Sequence, residues 1–463
     1  MMLRKPIFVV RKLGIFCLVG IALGVLTYAA SAAELPAGTV INKANLNKVM
    51  NDTFEGKTIR SMLLPSQEYQ IRNWALQMKL RRSKLPKMPK AFIEATKKYA
   101  KDVKFDPKTR EVSGWKVGLP FPEASPITSS PAAVAKFMKD PYAGDKVIWN
   151  YYYAHQGGRT QYCPHSWLLV SANKGLERRQ DWFWLRYYMK GRLDGPGKPP
   201  VVGDGSIISK TLFFVTAPYD MKGIGIFTVR YDSPKLEDTW VYVKSVRRTR
   251  RLSGGAWVDP VDGLDMLGDE IWIINARPSW YKSFKLLRKR WVLVVANDHV
   301  DWVEGAKTPA KEFPSVDLKN WPHWNPALVP GNESEPREVY EVEGIPPSYH
   351  PHSRRVLYMD VHVPTCYIGE GYDKEGKLWK YVQYTIGTNS AETARAAGVT
   401  AKGTKRMIPP SPTEKACLGI TPEGFYIDFK RRHACHHYDR IWDSNPKIGP
   451  NDVTLGQLEA AGK

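Results

Sequence analysis

The sequence has none of the common short motifs that identify an enzyme. It contains no G-x-S-x-G nucleophile elbow, no H-E-x-x-H helix motif, no P-loop and no G-x-G-x-x-G following a strand. The nearest candidate, at residues 203–206, lacks the second glycine of a nucleophile elbow. We therefore expect a protein that is not an enzyme and needs no cofactor. A pair of carboxylates assembled only by the fold and acting on an envelope glycan is the enzymatic alternative.

Cysteine is scarce, with five in 463 residues. Cys17 lies in the apolar N-terminal run, which leaves Cys163, Cys366, Cys417 and Cys435 as disulfide candidates. These four residues allow three pairings, and the sequence does not choose among them. We favour Cys417 with Cys435, because the two bracket one short segment near the C-terminus.

Two patterns suggest metal binding, but neither has the required spacing. Residues 433–437 combine histidines with Cys435 but have no C-x-x-C partner and no C-x-x-C-H haem signature. The acidic run at 259–270 lacks the alternating oxygen ligands and distal glutamate of an EF-hand loop. We expect no metal, and we expect the acidic run to pair with the arginines at 247–251.

No segment after residue 30 is apolar enough to cross a bilayer. At the N-terminus, basic residues at 4, 5, 11 and 12 precede an apolar run at 13–30, which ends in Ala-Ser-Ala-Ala at 30–33. This order is typical of a secretory signal peptide, here residues 1–33, and an uncleaved anchor is the alternative. We expect the rest of the chain to be exported to an oxidising compartment, where four cysteines are in keeping with two disulfides.

Basic residues outnumber acidic ones, with 68 Lys and Arg against 46 Asp and Glu and a formal net charge of +22. The excess is concentrated at residues 72–110. In an exported protein, the anionic partner of such a surface is a membrane headgroup, lipopolysaccharide or an acidic polymer rather than nucleic acid, for which no module signature occurs. A solvated helical face is the other interpretation.

Aromatic and β-branched residues occur in strand-length runs. The clearest lie at 211–216, 224–231 and 239–246, with proline- and aspartate-containing turns between them. Neither face of the strand at 224–230 consists only of polar residues, so we expect both sides of the sheet to be covered. The sheet would then enclose either a solid core or a ligand cavity. Further strands are predicted at 146–154, 165–171, 182–189, 271–275, 284–296, 338–344, 354–363, 366–370 and 378–387.

The predicted fold is mainly β (α+β), a large curved antiparallel sheet forming an unclosed barrel that N-terminal helices cap. We divide the chain into the signal peptide, an N-terminal helical arm and connector at 34–122, a half-barrel domain at 123–390, and a C-terminal tail at 391–463. Helices are predicted at about 65–84 and 89–101 in the arm. The tail is rich in proline and lysine, and a disulfide would staple it.

Several motifs, in this order, resemble those of one family. They are Gly-Leu-Pro-Phe-Pro at 118–122, Asp-Lys-Val-Ile-Trp-Asn at 145–150, Arg-Arg-Thr-Arg-Arg at 247–251 with Asp-Pro at 259–260, Glu-Pro-Arg-Glu-Val-Tyr at 335–340, Arg-Arg-Val-Leu-Tyr-Met-Asp at 354–360 and Tyr-Asp-Lys-Glu-Gly-Lys-Leu-Trp-Lys at 372–380. Over roughly residues 38–390 the chain resembles a domain-of-unknown-function family described as outer-membrane lipoprotein-sorting-like. The resemblance implies a periplasmic protein with a LolA/LolB-like half-barrel that shelters acyl chains. It also implies partners of two kinds, resistance-nodulation-division exporters and outer-membrane β-barrels.

The expected function is that of a periplasmic carrier or chaperone for a lipid, lipoprotein or other hydrophobic cargo moving toward or from the outer membrane. Burial of an acyl chain contributes about 0.8 kcal/mol per methylene, and an arginine near the mouth suits an anionic headgroup. The candidate ligand-binding residues are Phe213, Phe227, Trp240, Tyr242, Tyr358 and Trp379, with Arg247 and Arg250 at the rim. Plain core packing of the rings, and pairing of the arginines with the acidic run, are the alternatives. The rival function is a non-enzymatic adaptor that docks an outer-membrane β-barrel or exporter through the basic arm.

Overall fold

The computed structural model describes residues 32–153, 160–193, 199–254, 256–261, 263–296, 333–386, 423–439 and 448–462; for 162–164 and 438–439 it describes the backbone alone. Almost all of the expected signal peptide lies outside these residues, as does Cys417. Within them, no helix combines the length and the apolar character needed to cross a membrane.

The N-terminal part of the chain forms short helices and two-residue strands. In chain order they are β1 (Val40–Ile41), α1 (Leu46–Val49), β2 (Thr53–Phe54), β3 (Lys57–Thr58), α2 (Ile59–Met62), α3 (Pro65–Trp74), β4 (Met78–Lys79), α4 (Lys90–Tyr99), β5 (Lys104–Phe105), β6 (Val112–Ser113), α5 (Pro131–Phe137) and α6 (Ala143–Tyr153). The two helices predicted for the arm are α3 and α4. The first is shorter than predicted because Ala75 adopts a left-handed conformation that ends it.

One antiparallel sheet dominates the described residues. Its thirteen strands are β7 (Thr160–Ser171), β8 (Gly175–Tyr188), β9 (Ile207–Ala217), β10 (Gly225–Tyr231), β11 (Asp238–Val243), β12 (Arg248–Arg251), β13 (Ser283–Val294), β14 (Glu335–Ile345), β15 (Arg354–Asp360), β16 (Cys366–Tyr372), β17 (Leu378–Tyr384), β18 (Glu423–Asp428) and β19 (His433–Asp439). Their spatial order is β12-β11-β10-β9-β8-β7-β19-β18-β17-β16-β15-β14-β13. The outermost strands, β12 and β13, do not pair with each other in the described part of the chain, so the sheet is unclosed, as predicted.

Both faces of the sheet are covered, as predicted from strands that carry apolar residues on both faces. We call the face that carries Trp184 and Phe213 the inner face; it shares one hydrophobic core with α6 and with the segment after β12. On the outer face, residues 35–80 pack against β13 and β18. At the other end of the outer face, the C-terminal helix α7 (Leu455–Gly462) packs against β9–β11.

Two segments predicted as strands are not strands. Residues 146–154 fall largely in α6, a helix that is buried almost all round and packs against β13. Its Gly144 has no room for a side chain, because an added Cβ would lie 2.5 Å from the carbonyl oxygen of Phe284. Residues 271–275 cannot pair as a strand, because Trp272 and Ile273 have φ angles of 60° and 72°.

No strand was predicted in the C-terminal tail at 391–463, but the structure has two there. Strands β18 and β19 come from it, and they lie in the middle of the sheet between β17 and β7. Tyr426 and Cys435 of these strands are part of the main core. The domain expected at 123–390 is therefore completed by residues after 390.

Candidate functional site

A segment that we call the strap, residues 256–261 and 263–277, lies against the inner face of the sheet. Trp272 stacks on Tyr384 of β17 with ring centroids 5.9 Å apart, and its edge meets Trp184 of β8 at 6.0 Å. The hydroxyl of Tyr151 in α6 donates to the carbonyl oxygen of Trp272. The strap thus connects the centre of the sheet, α6 and the strands near β12.

Among the described residues, the acidic run in the strap does not pair with the arginines at 247–251. Asp269 instead accepts hydrogen bonds at 3.2 Å from both Arg355 and His350, and Glu270 lies 2.7 Å from His352. Burial alone would raise the pKa of Asp269, but the hydrogen bond from His350 and the charge of Arg355 lower it below its usual range. The acidic run therefore anchors the strap to the sheet through the buried ion pair of Asp269 with Arg355 and through hydrogen bonds to two buried histidines.

Of the upstream arginines, Arg251 pairs with Asp238 of β11, outside the acidic run. Arg247 and Arg250 are exposed. The expected pairing is wrong because the arginines lie on the edge strand β12, whereas Asp265, Asp269 and Glu270 of the strap are buried against other partners. Charged side chains on an edge strand also prevent it from pairing with another chain.

Asp265, His433 and Cys435 form the one metal-like group found in the described residues, with potential ligand atoms within 4.8 Å of one another. Hydrogen bonds account for its geometry: the Cys435 thiol donates to Asp265 Oδ2 at 3.2 Å, His433 Nδ1 contacts the same oxygen, and Arg431 donates to Oδ1 at 3.0 Å. Two donors and a guanidinium already satisfy this carboxylate.

The disulfide prediction also needs correction. Cys435 and Cys366 are both free and buried. Burial raises the pKa of the Cys435 thiol well above its usual value. It raises the pKa of the Cys366 thiol to about 12. In the part of the chain that the structure describes, Cys435 does not form the favoured bond, because its side chain turns inward from β19 against Asp265. The side chain of Cys163, like all of Cys417, lies outside the described residues.

A cavity of about 560 Å³ lies between the strap and strands β8–β11. Its floor includes a row of side chains in direct register across four strands: Trp184 with Phe213, Phe213 with Ile226, and Ile226 with Val241. Trp257 and Ile271 of the strap line the opposite side. These side chains make one end of the cavity apolar and aromatic, and its volume is typical of a small-molecule site.

The next row along the same strands is polar. Arg186 is in register with Thr211, Thr211 with Thr228, and Thr228 with Thr239. Beyond it, Arg230 also lines the cavity, beside Glu237. Because inward-facing residues alternate along each strand, these polar groups occupy the same face as the aromatic row. The cavity is therefore amphipathic, with an apolar end and an arginine-containing end.

The predicted ligand-binding residues fall into three groups. Phe213 lines the cavity, and Tyr242 borders it but packs its ring against α7 at Gly462. Phe227 and Trp240 lie on the outer face under α7. The others do not line the cavity: Tyr358 is core, Trp379 donates to Asp428, and Arg247 and Arg250 are exposed.

Sequence reasoning missed Arg186, Arg230, Trp182, Trp184 and Trp257. The signal was present in β8, where Trp182, Trp184 and Arg186 recur at every second position. A period-2 stripe places these side chains on one face, and an arginine in an otherwise aromatic stripe marks a buried cation.

A family profile described as "Protein of unknown function (DUF1329)" matches residues 40–405. The chain belongs to the DUF1329 family. The matched region agrees with the resemblance found from the motifs, and it extends beyond the sequence-based boundary near residue 390. No match was found among curated proteins.

Three solved structures are similar to this DUF1329 protein at low identity. A DUF1329 family protein from Desulfovibrio piger has 13% identity and a TM-score of 0.44, covering 69% of this chain and all (100%) of its own. A domain named for outer membrane lipoprotein sorting, from Vibrio parahaemolyticus, has 11% identity and a TM-score of 0.43, with coverages of 68% and 97%. A LolA superfamily protein from Nitrosomonas europaea has 11% identity and a TM-score of 0.36, with coverages of 68% and 98%.

Proposed function

We propose that this DUF1329 protein binds a hydrophobic ligand in the cavity between the strap and β8–β11, and acts as a periplasmic carrier or chaperone for a lipid, lipoprotein or similar cargo. The observation that supports the proposal is the cavity itself. Tryptophan and phenylalanine side chains line its apolar end. In a solid core, these rings would instead pack against each other and leave no space between them. The proposal includes no catalytic step.

The energetics favour an apolar ligand at this end. Transfer of each methylene from water into such a surface contributes about 0.8 kcal/mol, so a chain of about ten methylenes offsets the entropic cost of association. The strap encloses the ligand from the side opposite the sheet. The buried ion pair of Asp269 with Arg355 and the hydrogen bond between His352 and Glu270 hold it in place. Sheet and strap are thus organised before the ligand enters.

Ligand uptake tests this proposal. The mature chain is purified, extracted with organic solvent, and assayed by mass spectrometry for co-purified lipid and by fluorescence for binding of N-phenyl-1-naphthylamine, a neutral apolar probe. We expect saturable binding, and we expect Ile226→Trp, which fills the cavity, to weaken it at least tenfold. The neighbouring variant Phe227→Trp lies on the outer face and serves as the matched control. Absence of both lipid and saturable probe binding would contradict the proposal.

One observation favours the adaptor as a second candidate. A groove of about 580 Å³ lies beside α4, and Lys97, Lys101 and Lys146 line it. It offers positive charge to an acidic surface of an outer-membrane β-barrel or a resistance-nodulation-division exporter, the partners proposed for this role. Reversal of charge at Lys97 and Lys101 should abolish co-purification with an envelope partner; unchanged co-purification would remove this groove from the account.

A further inference from the structure

Arg186 is the most unusual side chain of the cavity, because it is a buried cation without a close anion. It is 4% exposed. Its Nε donates to Thr211 Oγ1 at 3.0 Å, and its guanidinium lies 4.7 Å from the centre of the Trp184 ring. Among the described residues, no carboxylate lies within ion-pair distance of it. Burial lowers the pKa of Arg186 from its usual value, yet an arginine remains charged.

The second buried arginine does not share this situation. Arg230 forms an ion pair with Glu237, and its guanidinium donates at 2.9 Å and 2.8 Å to the backbone and side-chain oxygens of Asn275. Burial would lower the pKa of Arg230, but Glu237 raises it above its usual value. Arg230 is therefore satisfied within the protein.

The charges that face this end of the cavity leave one positive charge uncompensated. Two buried guanidinium groups face it from β8 and β10. Among the described lining residues, the one carboxylate at this end is the half-buried Glu237, which directly precedes β11 and already pairs with Arg230. Tyr188, which adjoins Arg186 on β8, keeps its proton because burial raises its pKa. Lys244 and Asp259 also line the cavity, but neither is buried and the two carry opposite charges.

An uncompensated buried cation is costly unless something neutralises it. Neither a plain core nor a ligand without charge provides that neutralisation. An anionic group bound to Arg186 does, and the threonines of the same row add hydroxyl donors around it, since Thr211, Thr228 and Thr239 all line the cavity. The aromatic row, which starts with Trp184 and Phe213, lies two residues along the strands from Arg186 and Thr211. The apolar end of the cavity therefore adjoins the place where such an anionic group would bind.

We propose that the ligand is an amphiphile with one chain and an anionic headgroup, a carboxylate or a phosphate, and that Arg186 binds this headgroup while Trp184, Phe213 and Trp257 contact the chain. This inference rests on the proposed function, because it requires the cavity to be a ligand site. It also replaces the exposed Arg247 and Arg250, which the sequence suggests, with a buried arginine. A buried contact is screened weakly by salt, unlike one at an exposed rim.

Competition among ligands of one chain length tests the inference. Delipidated mature protein carrying N-phenyl-1-naphthylamine is titrated with hexadecanoic acid, hexadecyl phosphate, hexadecanol and hexadecyltrimethylammonium, in 0.05 M and 0.5 M NaCl. We expect the acid or the phosphate to bind about tenfold or more tightly than the alcohol, at both salt concentrations, because a charge-assisted hydrogen bond contributes about 1.5–3 kcal/mol. Which of the two binds better identifies the headgroup as a carboxylate or a phosphate.

Variants separate this inference from the proposed function. Arg186→Gln should lower the affinity for the anions at least tenfold more than the affinity for hexadecanol, and a cooperative thermal unfolding transition shows that the variant folds. Arg186→Lys should retain part of the preference for the anion. Arg250→Gln, the matched exposed control, should change nothing. Equal binding of acid and alcohol, tighter binding of the cation, or a preference that survives Arg186→Gln would overturn the inference and leave the carrier proposal standing. If none of the ligands displaces the probe, both fail.

Discussion

Arg230 of β10 and Asn275 of the strap are joined by two hydrogen bonds, at 2.9 Å to the backbone oxygen of Asn275 and at 2.8 Å to its side-chain oxygen. Both residues line the cavity. Their contact fixes the distance between the sheet and the strap at the polar end, where Arg186 also lies. The width of the cavity therefore depends on a contact between one strand and one loop.

Substitution of Asn275 should loosen the strap without unfolding the sheet. In Asn275→Ala, the guanidinium keeps its bond to the backbone oxygen and loses the one to the side chain, so we expect a loss of about 1–2 kcal/mol in the free energy of unfolding. Amide hydrogen exchange of the strap should accelerate more than that of β14–β17. Asn73→Ala, an exposed asparagine on α3, is the control and should change neither quantity. Uniform acceleration across the sheet would contradict a local role.

Asp269 should be among the most sensitive residues of the strap. Its carboxylate is fully buried and contacts Arg355, His350 and Tyr281. Asp269→Asn leaves the charge of Arg355 buried without its partner, which costs about 3–5 kcal/mol. The exposed pair Lys90 and Glu94 provides the control, since Glu94→Gln should change stability by less than about 0.5 kcal/mol in the same urea titration.

Buried histidines should make the fold sensitive to mild acid. Burial lowers the pKa of His352 below its usual 6.5, against the opposing effect of Glu270. At a pH between the pKa of His352 in the folded chain and its usual value of 6.5, the unfolded chain binds a proton that the folded chain does not. Stability is therefore fully present above about pH 6.5 and falls as the pH falls, by up to about 1.4 kcal/mol per pH unit. His352→Gln can still donate to Glu270 but does not titrate, so its stability should fall less between pH 6.5 and 5; an unchanged slope would contradict this assignment.

The free thiols give a test of the corrected disulfide. Cys366 and Cys435 are buried with raised pKa values, so neither should react with iodoacetamide in the native state, and both should react in guanidinium. Peptide mapping without reductant shows which cysteines carry the iodoacetamide label and which are joined in a disulfide. A Cys417–Cys435 crosslink in the folded protein would contradict the arrangement of Cys435 against Asp265.

Local sequence pattern predicted most of the sheet, because alternating aromatic and β-branched residues between turns leave few other structures. The pattern failed for α6, which contains the apolar run Val147-Ile148-Trp149. A short apolar run does not distinguish a buried helix from a buried strand. It failed for β18 and β19 because their polar residues, such as His433, are satisfied only by distant partners such as Asp265. The cavity also depends on contacts between the strap and the sheet that no local pattern predicts, which explains why Trp257 was missed. Arg186 was missed although the stripe in β8 marks it.

The role of the C-terminal strands can be checked by truncation. A chain ended after residue 386 lacks β18 and β19, which leaves β17 and β7 without their partners, and we expect no cooperatively folded product. A chain ended after residue 447 loses Val453 and Leu458 from the outer face but keeps the whole sheet. It should fold with stability reduced by a few kcal/mol, about 1.5–3 for each buried side chain lost. Equal stability of the two products would contradict the central position of these strands.

The position of the bound chain tests the central claim most directly. A long-chain fatty acid with a photoactivatable diazirine is bound to the protein from residue 34 onward. The complex is irradiated and mapped by peptide mass spectrometry, with unlabelled fatty acid as competitor. The account predicts saturable labels on inner-face residues and on the strap, at 182–186, 211–215, 224–230, 239–243 and 256–275. Labels confined to the outer face under α7 or to the groove beside α4, or labels that the competitor does not reduce, would contradict it.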